Sequence, residues 1–426
     1  MSTIESKYDD HDLRLRERAG LLNRMSVSDW RAFFALCSKP FDGQTRNSGY
    51  VSDVLNTLAP AVPELPAAVL AAVKLNAYHY LLKKLLREPL PDTQGEIAGG
   101  RQFVGYHTRE AASGLVRDMG EILKEGHNSA ELKGCLPLLM DTLAVMRTEM
   151  LADAPDPDHF FFQTYIRLWE GWIAPLTGDA GSCAEELDRL LKAAGNKPSG
   201  INQYNLLSAQ SSMLFGLSRD SEAISLLERL AEKHPVDEAR LFQYLNELSR
   251  TQQWRRLAQW LTDTAHLFAG RSLRALTPFF AYWDEVIRQL PDTEEAMWRT
   301  LESLYPASKT LYMNKLYELG KWRKWMDIQL STGSEPLDFR ADTYKPIEKY
   351  EPELLLPYYH QAVERHVAAK SRDGYKLAVK LLKRLAKLYK KMKRDADWER
   401  FLDSFLNRHS RLRALHEEMR KGKLIE

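Results

Sequence analysis

The chain has 426 residues, of which 44% are hydrophobic, 28% charged and 10% aromatic, a balance that excludes wholesale disorder and leaves ample apolar surface to bury. Its formal charge of +2 conceals an asymmetry: residues 370–426 hold 18 Lys/Arg against 8 Asp/Glu, or +10, and the preceding 369 residues carry −8. The longest uninterrupted apolar run, 67–73, is far shorter than the roughly 20 residues a membrane-spanning helix needs, so no membrane span is expected.

Residues 1–18 are charged and lack the apolar core of a secretory leader. Cys37, Cys135 and Cys183 lie far apart with no C-x-x-C pair, which suits a reducing cytoplasm and offers neither a disulfide framework nor a zinc knuckle. Apolar residues then recur at spacings of three and four almost throughout, so the expected class is all-α. Residues 68–87 show the pattern: Leu70, Val73, Leu75, Leu81, Leu82 and Leu85, with Tyr78, form one wide apolar face between Pro66 and Pro89. Breaks are expected at 94–105, which is rich in glycine, at 153–158 and at 195–200.

From 204 the pattern tightens. Residues 204–235 fit one tetratricopeptide-type helix–turn–helix, with Ala223, Leu227, Leu230 and Pro235 at that repeat's crossing, packing and stop positions. Tyr244, Asn246, Leu248, Trp254 and Arg255 return 68 residues later as Tyr312, Asn314, Leu316, Trp322 and Arg323, twice the 34-residue period of this repeat class. Trp398, with Phe401 and Leu402, is read as a looser third copy. Ser211 and Ala223 become Leu245 and Leu257 one period on, so some units must pack differently. These features predict an α-solenoid: a helical block over 1–152, helical hairpins over 158–343 and a basic helical segment over 344–426.

In that last segment Ala378, Leu381, Leu382, Leu385, Leu388 and Tyr389, followed by Met392, form an apolar stripe. Lys376, Lys380, Lys383, Arg384, Lys387, Lys390 and Lys391 take the remaining circumference. The cations either form a solvated face or contact nucleic-acid phosphates or another anionic partner. Base-specific reading is not expected, because lysine predominates and no aromatic residue joins the basic face.

The run Tyr350-Glu-Pro-Glu-Leu-Leu-Leu-Pro-Tyr-Tyr-His360, the Tyr375–Arg384 stretch YKLAVKLLKR, and RLRALHEEMRKGKL ending at Leu424 together resemble the C-terminal helical region of bacterial SWIM zinc-finger proteins over 344–424. That resemblance implies a helical region accompanying a zinc module that binds nucleic acid or protein. The C-x-C…C-x-H signature of the module is absent from this sequence, so its metal site maps to no residue here.

Phosphate loops, nucleophile elbows and H-E-x-x-H pairs are also absent from the sequence, and no cofactor or catalytic residue is assigned. His360 and Glu364, one helical turn apart, supply half a metal site at most and are expected to make ordinary polar contacts, as are His409 and His416. Trp169, Trp172, Trp254, Trp260, Trp322 and Trp325 are expected to be core. The expected function is a non-enzymatic scaffold for a protein or peptide partner, with accessory nucleic-acid binding through the basic helix as the alternative.

Overall fold

A computed structural model describes residues 21–62, 64–88, 104–125, 129–154, 156–178, 180–196, 200–235 and 237–426. The described residues are helical with no β-strand; a lone antiparallel bridge joins Ala152 to Ile201. The all-α expectation therefore holds. None of these helices is long and apolar enough to cross a membrane.

The chain divides into two compact units, Met1–Tyr244 and Leu245–Glu426. The first contains α1 (Val27–Ser38), α2 (Ser48–Leu58), α3 (Ala67–Arg87), α4 (Tyr106–Lys124), α5 (Ser129–Gly134), α6 (Leu136–Leu151) and α7 (Phe160–Leu168). A π-helical turn, Trp169–Ile173, leads from α7 into α8 (Ala174–Thr177), followed by α9 (Ala180–Asn196), α10 (Gln203–Gly216) and α11 (Asp220–Ala231). The boundary between units falls inside α12 (Glu238–Arg250). The second unit continues with α13 (Trp254–Asp263), α14 (Leu273–Gln289), α15 (Glu294–Ser303), α16 (Lys309–Glu318), α17 (Trp322–Ser331), α18 (Ala341–Tyr350), α19 (Leu355–Ala368), α20 (Arg372–Lys391), α21 (Asp395–Arg408) and α22 (Arg413–Lys421).

Local chemistry sets several of the starts. Ser26 and Asp29 form a reciprocal capping box on α1, with Asp29 N donating to Ser26 Oγ at 3.2 Å and Ser26 N to Asp29 Oδ2 at 3.1 Å. Asn47, Asn202 and Ser371 cap α2, α10 and α20 through their side-chain oxygens. The predicted helix at 68–87 is α3, and it is buried on nearly every side: beyond the expected leucines it encloses Ala72, Asn76 and His79. Asn76 Nδ2 donates to Ala72 O and to Thr142 Oγ1, both at 2.9 Å, so this interior amide is satisfied. The break expected at 94–105 lies mostly outside the described residues.

The pair α10 and α11 realises the hairpin expected over 204–235. Ser211 and Ala223 are fully buried where the helices cross, and Ser211 Oγ donates to Ala223 O at 3.1 Å. The helices are joined by a left-handed residue, Ser218, whose N–H donates to Phe215 O while Arg219 N donates to Leu214 O. These paired bonds satisfy carbonyls left open at the helix end. The same paired bonds close α12 at Gln252 and α16 at Gly320, each left-handed. Ser218 and Gln252 are 34 residues apart, and Gln252 and Gly320 are 68 apart. Each of the last two turns precedes a half-buried tryptophan by two positions, Trp254 and Trp322, and follows a fully buried leucine, Leu248 and Leu316. The intermediate register position falls on Val286, inside α14, so the period is interrupted there. Lys393 ends α20 with the same turn, but Trp398 follows it by five residues rather than two.

Candidate interaction surface

The surface that sequence singles out is α20. Ser371 Oγ caps it by accepting from Gly374 N at 3.1 Å. A Cβ on Gly374 would lie 2.6 Å from His366 O, so glycine is what lets α20 start so close to the end of α19. Deeper in the hairpin Ala362 and Ala378 are fully buried, as are Leu381, Leu382 and Leu385. α22 packs on the other flank, where a Cβ on Gly422 would meet Val379 Cγ1 at 2.6 Å. The apolar stripe is thus enclosed by α19, α21 and α22.

The polar side is left open. Lys376, Lys380, Lys383, Lys387, Lys390 and Lys391 are all exposed. Their steps of four and three residues keep them on one face, as a ridge roughly 22 Å long at the α-helical rise. Lys376 is neutralised by Asp373 at 3.0 Å. Among the described residues no carboxylate lies within ion-pair distance of the other five, so the ridge carries about five uncompensated charges at neutral pH.

Arg384 departs from the expectation. Its position falls at the edge of the lysine face, beside Leu385, and it is half-buried against Tyr344 and Tyr359 of the neighbouring helices. Burial pushes the Tyr359 hydroxyl up to about 12, with the Arg384 guanidinium pulling it the other way. Arg384 belongs to the hairpin's interior rather than to the ridge.

The histidines make ordinary contacts. His360 Nε2 lies 3.0 Å from Tyr389 Oη, its ring stands edge-on to Phe401 at 4.2 Å, and burial lowers its pKa. Glu364 instead binds Arg408 at 3.0 Å and His409 at 3.2 Å, and His416 Nε2 lies 3.1 Å from His409 O. Among the described residues no three His, Cys, Asp or Glu side chains converge as a metal site. Cys37, Cys135 and Cys183 are free thiols, and burial pushes Cys37 up to about 12. The zinc set of the resembled family therefore finds no donors here. Trp169, Trp172, Trp260 and Trp325 are buried as expected, whereas Trp254 and Trp322 are only partly covered; Trp322 stacks on the exposed Tyr350.

One cluster escapes sequence reasoning. Glu149 on α6 gathers Arg31 at 3.5 Å, Lys83 at 2.9 Å and Arg87 at 2.7 Å, and Arg87 Nη2 also donates to the Glu149 carbonyl at 2.7 Å. Arg87 lies over the Phe161 ring at 3.9 Å, and His79 meets the same ring edge-on. Nearby, Asp156 accepts from Phe161 N at 3.2 Å and Asn205 Nδ2 at 2.9 Å, while His159, in a left-handed conformation, stacks on Tyr204 at 3.7 Å. The Glu149 partners come from 62 to 118 residues away in sequence, and no local pattern announces them.

These observations define an all-α protein of helical hairpins with a free lysine ridge near its C-terminal end. No family model matches the chain. It is 29% identical over 425 residues to the uncharacterized protein YwqB of Bacillus subtilis (strain 168), the aligned region covering 95% of this chain and 75% of YwqB.

Proposed function

We propose that this chain is a non-catalytic helical-repeat scaffold for protein–protein interaction, tetratricopeptide-like in its hairpins and companion to a SWIM-type zinc-finger module in the cytoplasm. The supporting observation is the recurrence of one left-handed hairpin turn, at Ser218, Gln252 and Gly320, in step with a 34-residue period. Stacked hairpins of that period bury a shared apolar layer and leave extended surfaces that accept a peptide or protein partner. Cross-linking mass spectrometry on the full chain captured with its partner tests the reading: cross-links to one protein should cluster near exposed repeat positions such as Arg255 and Arg323. Cross-links scattered over many proteins, with none recurring between preparations, would count against it.

A second reading, accessory nucleic-acid binding, is favoured by the five unpaired lysines of α20. Closely spaced cations that displace condensed counterions give an affinity falling steeply with salt, with the log–log slope reduced by about one for each lysine removed. A salt series with duplex and single-stranded DNA and RNA, on wild type and Lys380→Glu/Lys387→Glu, reads that slope. A slope unchanged by the double substitution removes the ridge from consideration.

A further inference from the structure

In the Met1–Tyr244 unit, α4 and α7 flank a cleft of about 700 Å³, a volume in the range of small-molecule and short-peptide sites. Two glycines bring its walls together. A Cβ on Gly120 would sit 3.0 Å from Arg167 Nη1, and one on Gly171 would sit 3.6 Å from Leu123 Cβ. Two departures from regular backbone also meet there. Asp158, a non-glycine residue with φ of 61°, lines the cleft, and so do Glu170 and Gly171 from the π-helical turn. Such conformations persist only where their surroundings hold them, and they concentrate at binding sites. Here Arg109 pairs with Asp158, and Trp172 Nε1 donates to Leu123 O at 3.1 Å, so both are held.

The charges of the lining are unequal. Each carboxylate already has a cation: Asp158 has Arg109, Glu170 has the buried Arg240 at 2.7 Å, and Glu121 has Lys124 at 2.8 Å. Arg167, by contrast, donates only to uncharged groups, Val116 O at 2.9 Å and Gln163 Oε1 at 3.4 Å. Arg117 reaches Asp118 only at 4.0 Å and is largely exposed. Two guanidiniums are therefore left to meet an anion, beside the apolar side chains of Val116, Leu123 and Phe160. Ser113 and Gln163 add neutral groups able to pair with amides.

We propose that this cleft binds an acidic peptide segment bearing one apolar side chain, its carboxylates on Arg167 and Arg117 and its apolar group among Val116, Leu123 and Phe160. The inference rests on the scaffold reading, for which it names the partner's chemistry.

The test uses the full chain and three probes: a fluorescent four-residue peptide of three glutamates and one phenylalanine, its lysine counterpart, and inorganic phosphate. The acidic peptide should bind saturably. Arg167→Gln should weaken it about tenfold, and Lys387→Glu on α20 should leave it unchanged. If Arg167→Gln shifts the unfolding midpoint, Arg117→Glu carries the test from its exposed position, with a loss of at least about threefold. Equal binding of the lysine peptide, loss with Lys387→Glu alone, or no binding of the acidic peptide overturns the proposal. So does displacement by phosphate at a concentration comparable to the peptide's, which would mark a small-anion site. If a captured partner survives Arg117→Glu undiminished, the cleft assignment fails and the scaffold reading stands. Saturable peptide binding with no recurrent partner gives the opposite outcome: the cleft stands as a peptide site and the scaffold reading fails.

Discussion

Two long helices, α3 with 21 residues and α20 with 20, are built from similar material, leucines alternating with Lys and Arg, yet they use their cations in opposite ways. On α3, Lys83 and Arg87 converge with Arg31 on Glu149, and the helix sits in the middle of its unit. On α20 the leucines are as deeply buried, but five lysines meet no carboxylate among the described residues. The difference does not lie in either helix. It lies in whether another element delivers an acid to the cationic face, as α6 does for α3. A basic amphipathic pattern is thus read as structural or as a binding surface only after its neighbours are known.

The largest expected effect breaks the first half of that comparison. Glu149→Gln leaves Arg87, whose side chain is 8% exposed, without its counter-charge, and should destabilise the Met1–Tyr244 unit by about 3–5 kcal/mol. Urea denaturation reads this better than guanidinium, which would screen the charges being tested. A loss below about 1 kcal/mol would mean that the cluster is solvated and that the contrast with α20 is illusory.

Next, Leu82→Ala on α3 and Leu382→Ala on α20 should each cost about 3 kcal/mol, since both side chains are fully buried. Equal losses would show that the helices share one apolar logic and differ only in charge. A much smaller loss at Leu382 would indicate a loosely docked α20.

A pH titration sharpens the α3 side. Burial, reinforced by Arg31, Arg87 and Lys83, lowers the His79 pKa from 6.5 to about 3. The unfolded chain takes up this proton first, so stability is complete above about pH 6.5 and declines as the pH falls toward about 3. His79→Leu should flatten that part of the stability–pH curve; an unchanged acid limb would exclude His79 as its source.

The smallest effect on folding belongs to the ridge. Lys380→Glu and Lys387→Glu should each change stability by no more than about 0.5 kcal/mol, as exposed and unpaired positions do. Lys83→Glu, placing a second acid beside Glu149, should destabilise clearly. Similar losses at all three positions would erase the distinction between the two helices.

Sequence patterning was sufficient for the helical class, for the α10–α11 hairpin and for the lysine face of α20. Each rests on side chains separated by three, four or a few tens of residues, and helical geometry converts such spacings directly into faces and turns. Arg384 shows where that reach ends: its place on the helical circumference suggests the basic face, but the tyrosines of the neighbouring helices draw it inward. The Glu149 cluster and the α4–α7 cleft were invisible for the same reason. Their members come from separate helices, and only tertiary packing decides which acid meets which base, which glycines let two helices close and which cations remain free. Periodicity fixes the direction in which a side chain leaves its own helix; what it meets there is set by the fold.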